Sequence, residues 1–332
     1  MEIITQRHLN PQSPVYGAAT KHLDAQESSL VIGEGLVLDP ALDVYQQGVQ
    51  FAAQLGSEVI ETQFRESAVS GNLDKVKDQY RSMMMAMKHS SDQFQRASQL
   101  VEDGRSHISA TFNLIEEIHG DYQKKYGEIV KASTEYMQDV NTAVGLMSSC
   151  VQAGKDGKIN FKPLDFLLKL EGSVSKYTDD KPTTPKDLAM RVSKPSTYYK
   201  AWSSKDSQTK PFVTFDYTEA EFKFWEKKLS GQGFIVRKKG EKIEICPDLK
   251  PIREIFKSVV ESSADWDGSD IMAQELQSLQ TAIDAQKNSV NSSTSRLLET
   301  FRQDNSHFET LVQLLIQLIK DLNQNNNSLI NM

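Results

Sequence analysis

The 332-residue chain contains no run of 18 apolar residues, so no segment is built to cross a bilayer as a helix. Cysteine is scarce. Cys150 and Cys246 lie far apart, and nothing in their spacing pairs them by a disulfide. Cys150 falls on a helical seam, where a thiol packs as a small hydrophobe. Positive charge is in deficit: 38 Lys and Arg against 45 Asp and Glu leave a net charge of −7, which argues against nucleic acid as the main partner. The six histidines, His8, His22, His89, His107, His119 and His307, show no metal-ligand spacing. Gly154-Lys155-Asp156-Gly157-Lys158 lacks the Walker spacing, and Asp156 with its neighbours does not complete a calcium loop. No acid, base and nucleophile converge, so neither a cofactor nor an enzymatic activity is expected. Residues 1–38 also lack the basic-then-apolar layout of a Sec signal. Their polar character (Asn10, Pro11, Gln12, Ser13, Pro14, then Gln26 to Ser29) predicts disorder.

Two long heptad-patterned stretches, 108–150 and 271–322, are what the chain has in abundance. In the first, apolar residues recur at spacings of four and three: Ile108, Phe112, Ile115, Tyr122, Tyr126, Ile129, Tyr136, Val140, Ala143, Met147 and Cys150, interrupted by His119 and Ser133. A period of 3.5 commits one narrow stripe to a partner helix, and a polar residue on the seam fixes its register. In the second, Leu276, Leu279, Ile283, Gln286, Val290, Ser293 and Leu297 form the seam. It slips by four residues at Leu297-Leu298 and resumes through Phe301, Asp304, Phe308, Leu311, Leu315, Leu318 and Leu322, a stutter. Gln286, Asn288, Asn291, Ser292, Ser293 and Thr294 read as a weak first half. At about 1.5 Å per residue the two helices would be ~65 and ~78 Å long, too long for one globule. The expected fold is mainly α: an elongated antiparallel coiled coil of two long helices, with an N-terminal helical hairpin and a mixed α/β insert containing a β-hairpin.

The hairpin is expected over 39–104. Asp39-Pro40 caps a helix with Leu42, Tyr45, Val49, Ala52 and Val59, Ser70-Gly71-Asn72 turns, and Leu73, Val76, Tyr80, Met83, Met87 and Phe94 return. The run Met83-Met84-Met85 is either hairpin core, the favoured reading, or an adaptable contact face. The first coiled-coil helix takes 105–153, the insert 154–262, the second coiled-coil helix 263–322, and an asparagine-rich tail, 323–332, is expected to fray. Within the insert the pattern predicts a helix over 163–177 and loop with short elements over 178–216. A capped helix follows over 218–230, with Thr218 and Glu221 as a capping box. Strands at 234–237 and 242–245 flank Lys239-Gly240-Glu241, and a helix covers about 251–261.

The string Leu297-Leu298-Glu299-Thr300-Phe301-Arg302-Gln303-Asp304-Asn305-Ser306-His307-Phe308-Glu309-Thr310-Leu311-Val312 resembles the C-terminal helix of type III secretion needle-tip proteins, in the branch typified by invasion plasmid antigen D. The family shows an aromatic, then Asn-Ser-x-Phe, then Leu-Val there, matched by Phe301, Asn305, Ser306, Phe308, Leu311 and Val312. The order of parts agrees over roughly 39–322, although the family's early tryptophan is Leu279 here. The resemblance implies a secreted, non-enzymatic protein at the bacterial surface that caps the needle, restrains secretion and seats the translocon on host contact. Its implied partners are the needle subunit, translocator proteins, further copies of itself and a bile-salt-like small molecule. In this branch the N-terminal hairpin acts as a self-chaperone. Asn305, Phe308, Leu311, Val312, Leu315, Ile316 and Ile319 are the candidate needle or oligomer interface, because a helix apolar over more than one stripe exceeds what one intramolecular partner covers. Leu297 and Phe301 join the coiled-coil core. The alternative is a secreted coiled-coil effector or scaffold that binds a host protein.

Overall fold

The computed structural model describes residues 30–32, 36–38, 50, 72–98, 113, 116, 122–180, 182–205 and 208–330. Three helices form the long axis: α1 (Leu73–Ser98), α2 (Lys124–Gly145) and α8 (Ala273–Ile330), the last 58 residues and about 87 Å long. Helix α2 runs antiparallel to α8, since Tyr122 bonds Asp304 while Asn141 bonds Asn291. Helix α1 runs parallel to α8, with Gln79 bonded to Ser295 and Ser90 to Glu309. The antiparallel pair was legible in the heptads. The seam residues Tyr122, Tyr126, Ile129, Tyr136, Val140, Leu276, Leu279, Ile283, Leu297 and Phe301 are all buried. Ile108, Phe112, Ile115 and His119, and all but Gln50 of the first helix expected in the hairpin, lie outside the described residues.

The ends of the rods differ from expectation. Helix α2 stops at Gly145, tightens into a 3-10 turn over Leu146–Cys150 and becomes strand β3 (Val151–Ala153). Strand β4 (Ile159–Phe161) pairs with β3 on one side and with β8 (Ser269–Ile271) on the other, both antiparallel. The second rod therefore begins at Ala273 rather than at 263. Three-residue strands carry too little alternation to be seen in sequence. The Lys155-Asp156-Gly157 turn between β3 and β4 is braced by Asp270, whose carboxylate accepts from the Lys155 N–H and the Asn160 amide, each at 3.0 Å. These bonds, the backbone one first, hold that carboxyl below its ordinary range. At the far end, α8 continues to Ile330 where a frayed tail was expected. Strands β1 (Leu30–Ile32) and β2 (Leu36–Leu38) pair as a hairpin inside the stretch expected to lack structure.

The insert is a mixed α/β unit, as predicted, with more regular structure. Helix α3 (Pro163–Val174) starts with proline at its first position and buries Phe166, Leu167, Leu170 and Val174. The segment expected as loop with short elements holds two helices, α4 (Pro185–Ser193) and α5 (Pro195–Ser204). It also holds strand β5 (Val213–Asp216), which makes the predicted hairpin of β6 (Phe234–Lys239) and β7 (Lys242–Pro247) a three-stranded sheet in the order β5-β7-β6. Helix α6 (Glu219–Leu229) begins where the cap predicts, with Thr218 accepting from the Glu221 N–H at 3.1 Å. The Glu221 side chain is used elsewhere, however, on Lys125 of α2 at 2.6 Å. Helix α7 (Lys250–Val260) packs Ile252, Ile255, Phe256 and Val259 against the core. Trp202 of α5 stacks on Phe256 at a centroid distance of 3.9 Å. Cys150 and Cys246 are both free and buried.

Candidate functional site

The stretch of α8 that reads as weak, Gln286 to Thr294, is, with Ser295 beside it, the junction at which the other elements meet it. Asn291, Ser293, Thr294 and Ser295 are buried. Each hydrogen-bonded member addresses a different place. Asn291 accepts from the Asn141 amide at 2.6 Å, Thr294 shares a hydroxyl bond of 3.0 Å with Ser133, and Ser295 donates to Gln79 of α1 at 3.0 Å. Satisfied buried polar pairs of this kind fix register rather than weaken packing. Small size matters as well. Gly233, in the turn before β6, sits so close to α8 that a Cβ there would lie 2.3 Å from Ser293 Oγ, at a φ of +94° that also favours glycine. The insert docks on the rod through that turn, and a cavity of about 150 Å³ remains beside it, lined by Ser133, Tyr136, Ser289, Ser293, Thr294 and Arg296 among others.

Two adjacent residues further along, Asp304 and Asn305, hold opposite neighbours. The Asp304 carboxylate accepts from Lys228 Nζ of α6 and from the Tyr122 hydroxyl at the start of α2. Lys228 Nζ also donates to Tyr122 Oη at 3.0 Å and lies 5.2 Å from the Phe224 ring centroid and 5.5 Å from that of Tyr122. Around it Trp225, fully buried, stacks on Tyr122 at 5.7 Å, and Tyr126 meets Phe301 edge-on at 4.5 Å. Burial first, and then the Asp304 charge, pushes the Tyr126 phenol well above its ordinary value and keeps it protonated. Asn305 looks the other way. Its amide donates to Ser90 Oγ of α1 at 3.1 Å, its carbonyl accepts from Gln123 at 2.9 Å, and Ser90 in turn donates to Glu309 at 2.8 Å. One turn of α8 thus clamps the insert on one side and α1 on the other.

The structure places the candidate interface residues unequally. Asn305, Phe308 and Val312 are 3%, 2% and 0% exposed, so in the single chain they are interior residues. Ile316 and Leu314 are half-buried and remain available. The side chains of Leu311, Leu315 and Ile319 lie outside the described residues. The methionine run divides in the same manner: Met83 is core, whereas Met84 and Met85 face solvent at 41% and 73% exposure. Sequence reading placed Asp304 on the seam but missed its partner. Lys228 is 76 positions away, and one lysine among three on an amphipathic helix carries no local signal of burial.

Among the described residues no three His, Cys, Asp or Glu side chains group to hold a metal ion, and no helix is long and apolar enough to cross a membrane. What the arrangement provides is a mechanical junction, an antiparallel rod carrying a globular insert and a third helix. No family model and no curated protein sequence matches the chain. Solved structures share its architecture. BipD of Burkholderia pseudomallei matches with a TM-score of 0.53 and 16% identity over 80% of this chain and 86% of that one. A near-atomic resolution structure of BipD, described as a component of the type-III secretion system of that organism, matches at 0.52 and 16% over 76% and 82%. A third, described as an invasion protein associated with that system, matches at 0.52 and 15% over the same shares, 76% and 82%. The chain matches the fold of BipD over most of its length.

Proposed function

We propose that this protein is a type III secretion needle-tip protein: it caps the needle, restrains secretion and forms the platform on which translocators assemble at host contact. The observation that carries the reading is the long rod of α2 and α8 with its docked insert, the fold of BipD across four-fifths of the chain. The Asn-Ser-x-Phe pattern at Asn305 to Phe308 on α8 supports it. The role is non-enzymatic and extracellular, with the needle subunit, translocators and other copies of the chain as partners. Immunogold labelling of intact needles with antibody to this protein tests it. Label at needle ends is expected. Label only inside host cells would favour the secreted effector or scaffold.

Two consequences are specific to residues. Ile316, half-buried on the last third of α8, belongs to the assembly face. Ile316→Asp should abolish tip localisation while sizing and circular dichroism report a folded monomer, and retained needle binding would remove it from the interface. Helix α1 masks α8 before assembly, a role supported by the burial of Val76, Met83 and Ser90. Deleting residues 39–103 should convert a monomer into larger species by light scattering, because an apolar stripe of α8 loses its cover. An unchanged monomer would refute masking.

A further inference from the structure

The cavity at the junction holds polar groups that the chain itself leaves unanswered. Its volume is about 150 Å³, and it is partly open to solvent. Tyr136 lines it, is 4% exposed, and has no hydrogen-bond partner for its hydroxyl among the described residues. The ring is held edge-on to Tyr177 at 4.8 Å, which fixes the direction of the side chain. Burial first, and then the charge of Asp248, pushes the phenol above its ordinary value. The hydroxyl therefore keeps its proton and lies in the field of a carboxylate that lines the same cavity. Arg296 lines it from α8. Its Nε is buried without a partner, and its guanidinium bonds only Ser293 Oγ, at 3.5 Å. Asp248 uses one carboxylate oxygen to accept from the Lys250 N–H at 2.8 Å. Neither Arg296 nor Asp248 forms an ion pair among the described residues. Protein interiors satisfy nearly all such groups, so two orphans in one cavity call for an occupant.

The chemistry of the occupant follows from the lining. About five waters would fill the space, but water brings no charge to the guanidinium or to the carboxylate. A simple anion on Arg296 would also meet the charge of Asp248, and a simple cation on Asp248 would meet that of Arg296. A molecule that carries both charges a few bonds apart answers both. Size narrows the choice, because a cavity of this volume takes about six non-hydrogen atoms, not a steroid-sized body. Phe234, Val290 and Pro251 add apolar wall, which suits a short aliphatic side chain. We propose that the cavity binds a small zwitterionic amino acid of the size of alanine. Its carboxylate accepts from Arg296 and from the Tyr136 hydroxyl, and its ammonium donates to Asp248. Asp248 follows β7 in the insert, whereas Tyr136 and Arg296 belong to the two helices of the rod, so the ligand bridges insert and rod. The inference stands independently of the tip assignment.

Isothermal titration calorimetry of the full chain with L-alanine tests it. Saturable binding with a millimolar dissociation constant is expected, within what so few atoms supply. Acetate and methylamine each carry one half of the charge pattern. Each should bind at least about tenfold more weakly, because each lacks one charge-assisted contact. Asp248→Asn keeps an oxygen for the Lys250 N–H and should weaken L-alanine binding by about tenfold or more, as should Arg296→Gln. Tyr136→Phe keeps the ring packing, removes one hydrogen bond and should weaken binding by about fivefold. An absence of saturable binding at millimolar L-alanine would mean that the cavity holds water only and would overturn the proposal. Acetate bound as tightly as L-alanine, or wild-type affinity in Asp248→Asn, would overturn it as well. The ligand series uses the unaltered protein, so its result stands even where a substitution disturbs the fold.

Discussion

Asp304→Ala should destabilise the protein by about 3–5 kcal/mol, because it strands a lysine in a largely closed aromatic setting. The side chains of Lys228 and Asp304 are 17% and 7% exposed, so solvent cannot readily replace the missing charge. The loss follows from leaving Lys228 without its carboxylate, not from the worth of the pair. Lys228→Met combined with Asp304→Leu should therefore recover most of it. About 1 kcal/mol should remain for the Tyr122 hydroxyl, which loses its acceptor. Urea unfolding of Lys228→Met, Asp304→Leu and the double of these two gives the coupling directly. A single-variant loss below about 1 kcal/mol would mean that water already reaches the pair. The expected loss should also appear as weaker docking of the insert, since α6 carries Lys228 and α8 carries Asp304.

Val312→Asp should be the more damaging of the two changes on the last third of α8, in contrast to Ile316→Asp. Val312 is fully buried, and an unpaired carboxylate there costs upward of about 4 kcal/mol or forces the helix to open locally. Hydrogen exchange should show the end of α8 losing protection while the insert, whose core lies around Phe256, Ile243 and Ile245, keeps it. Wild-type protection along α8 would contradict the burial. Loss of needle binding in this variant would report unfolding, whereas the same loss in Ile316→Asp reports contact.

The rod was legible because a 3.5-residue repeat is a local signal that survives without knowledge of the partner. Leu276, Ile283, Leu297, Phe301 and Phe308 were placed on the seam from spacing alone, and all five are buried. The stutter at Leu297-Leu298 also has a physical reading. Both residues are buried, and Leu298 lines a groove with Met83 of α1, so the change of phase lets α8 serve a second neighbour. What spacing could not deliver was pairing across distance. The polar run from Gln286 to Thr294 looked like weakness because its partners Ser133 and Asn141 sit on another helix. The three-residue strands β3, β4 and β8 were too short to alternate visibly.

The sheet of β3, β4 and β8 has a consequence for how the molecule can deform. β3 directly follows the 3-10 turn that ends the α2 rod, and β8 lies just before α8, with β4 between them. Two strand spacings are ~9.5 Å, close to the 8–10 Å at which helix axes pack. The sheet therefore ties the roots of both rods at their working separation, like the closed base of a tuning fork. Any splaying of the prongs must start at the opposite end, beyond Asp304, where the apolar third of α8 lies.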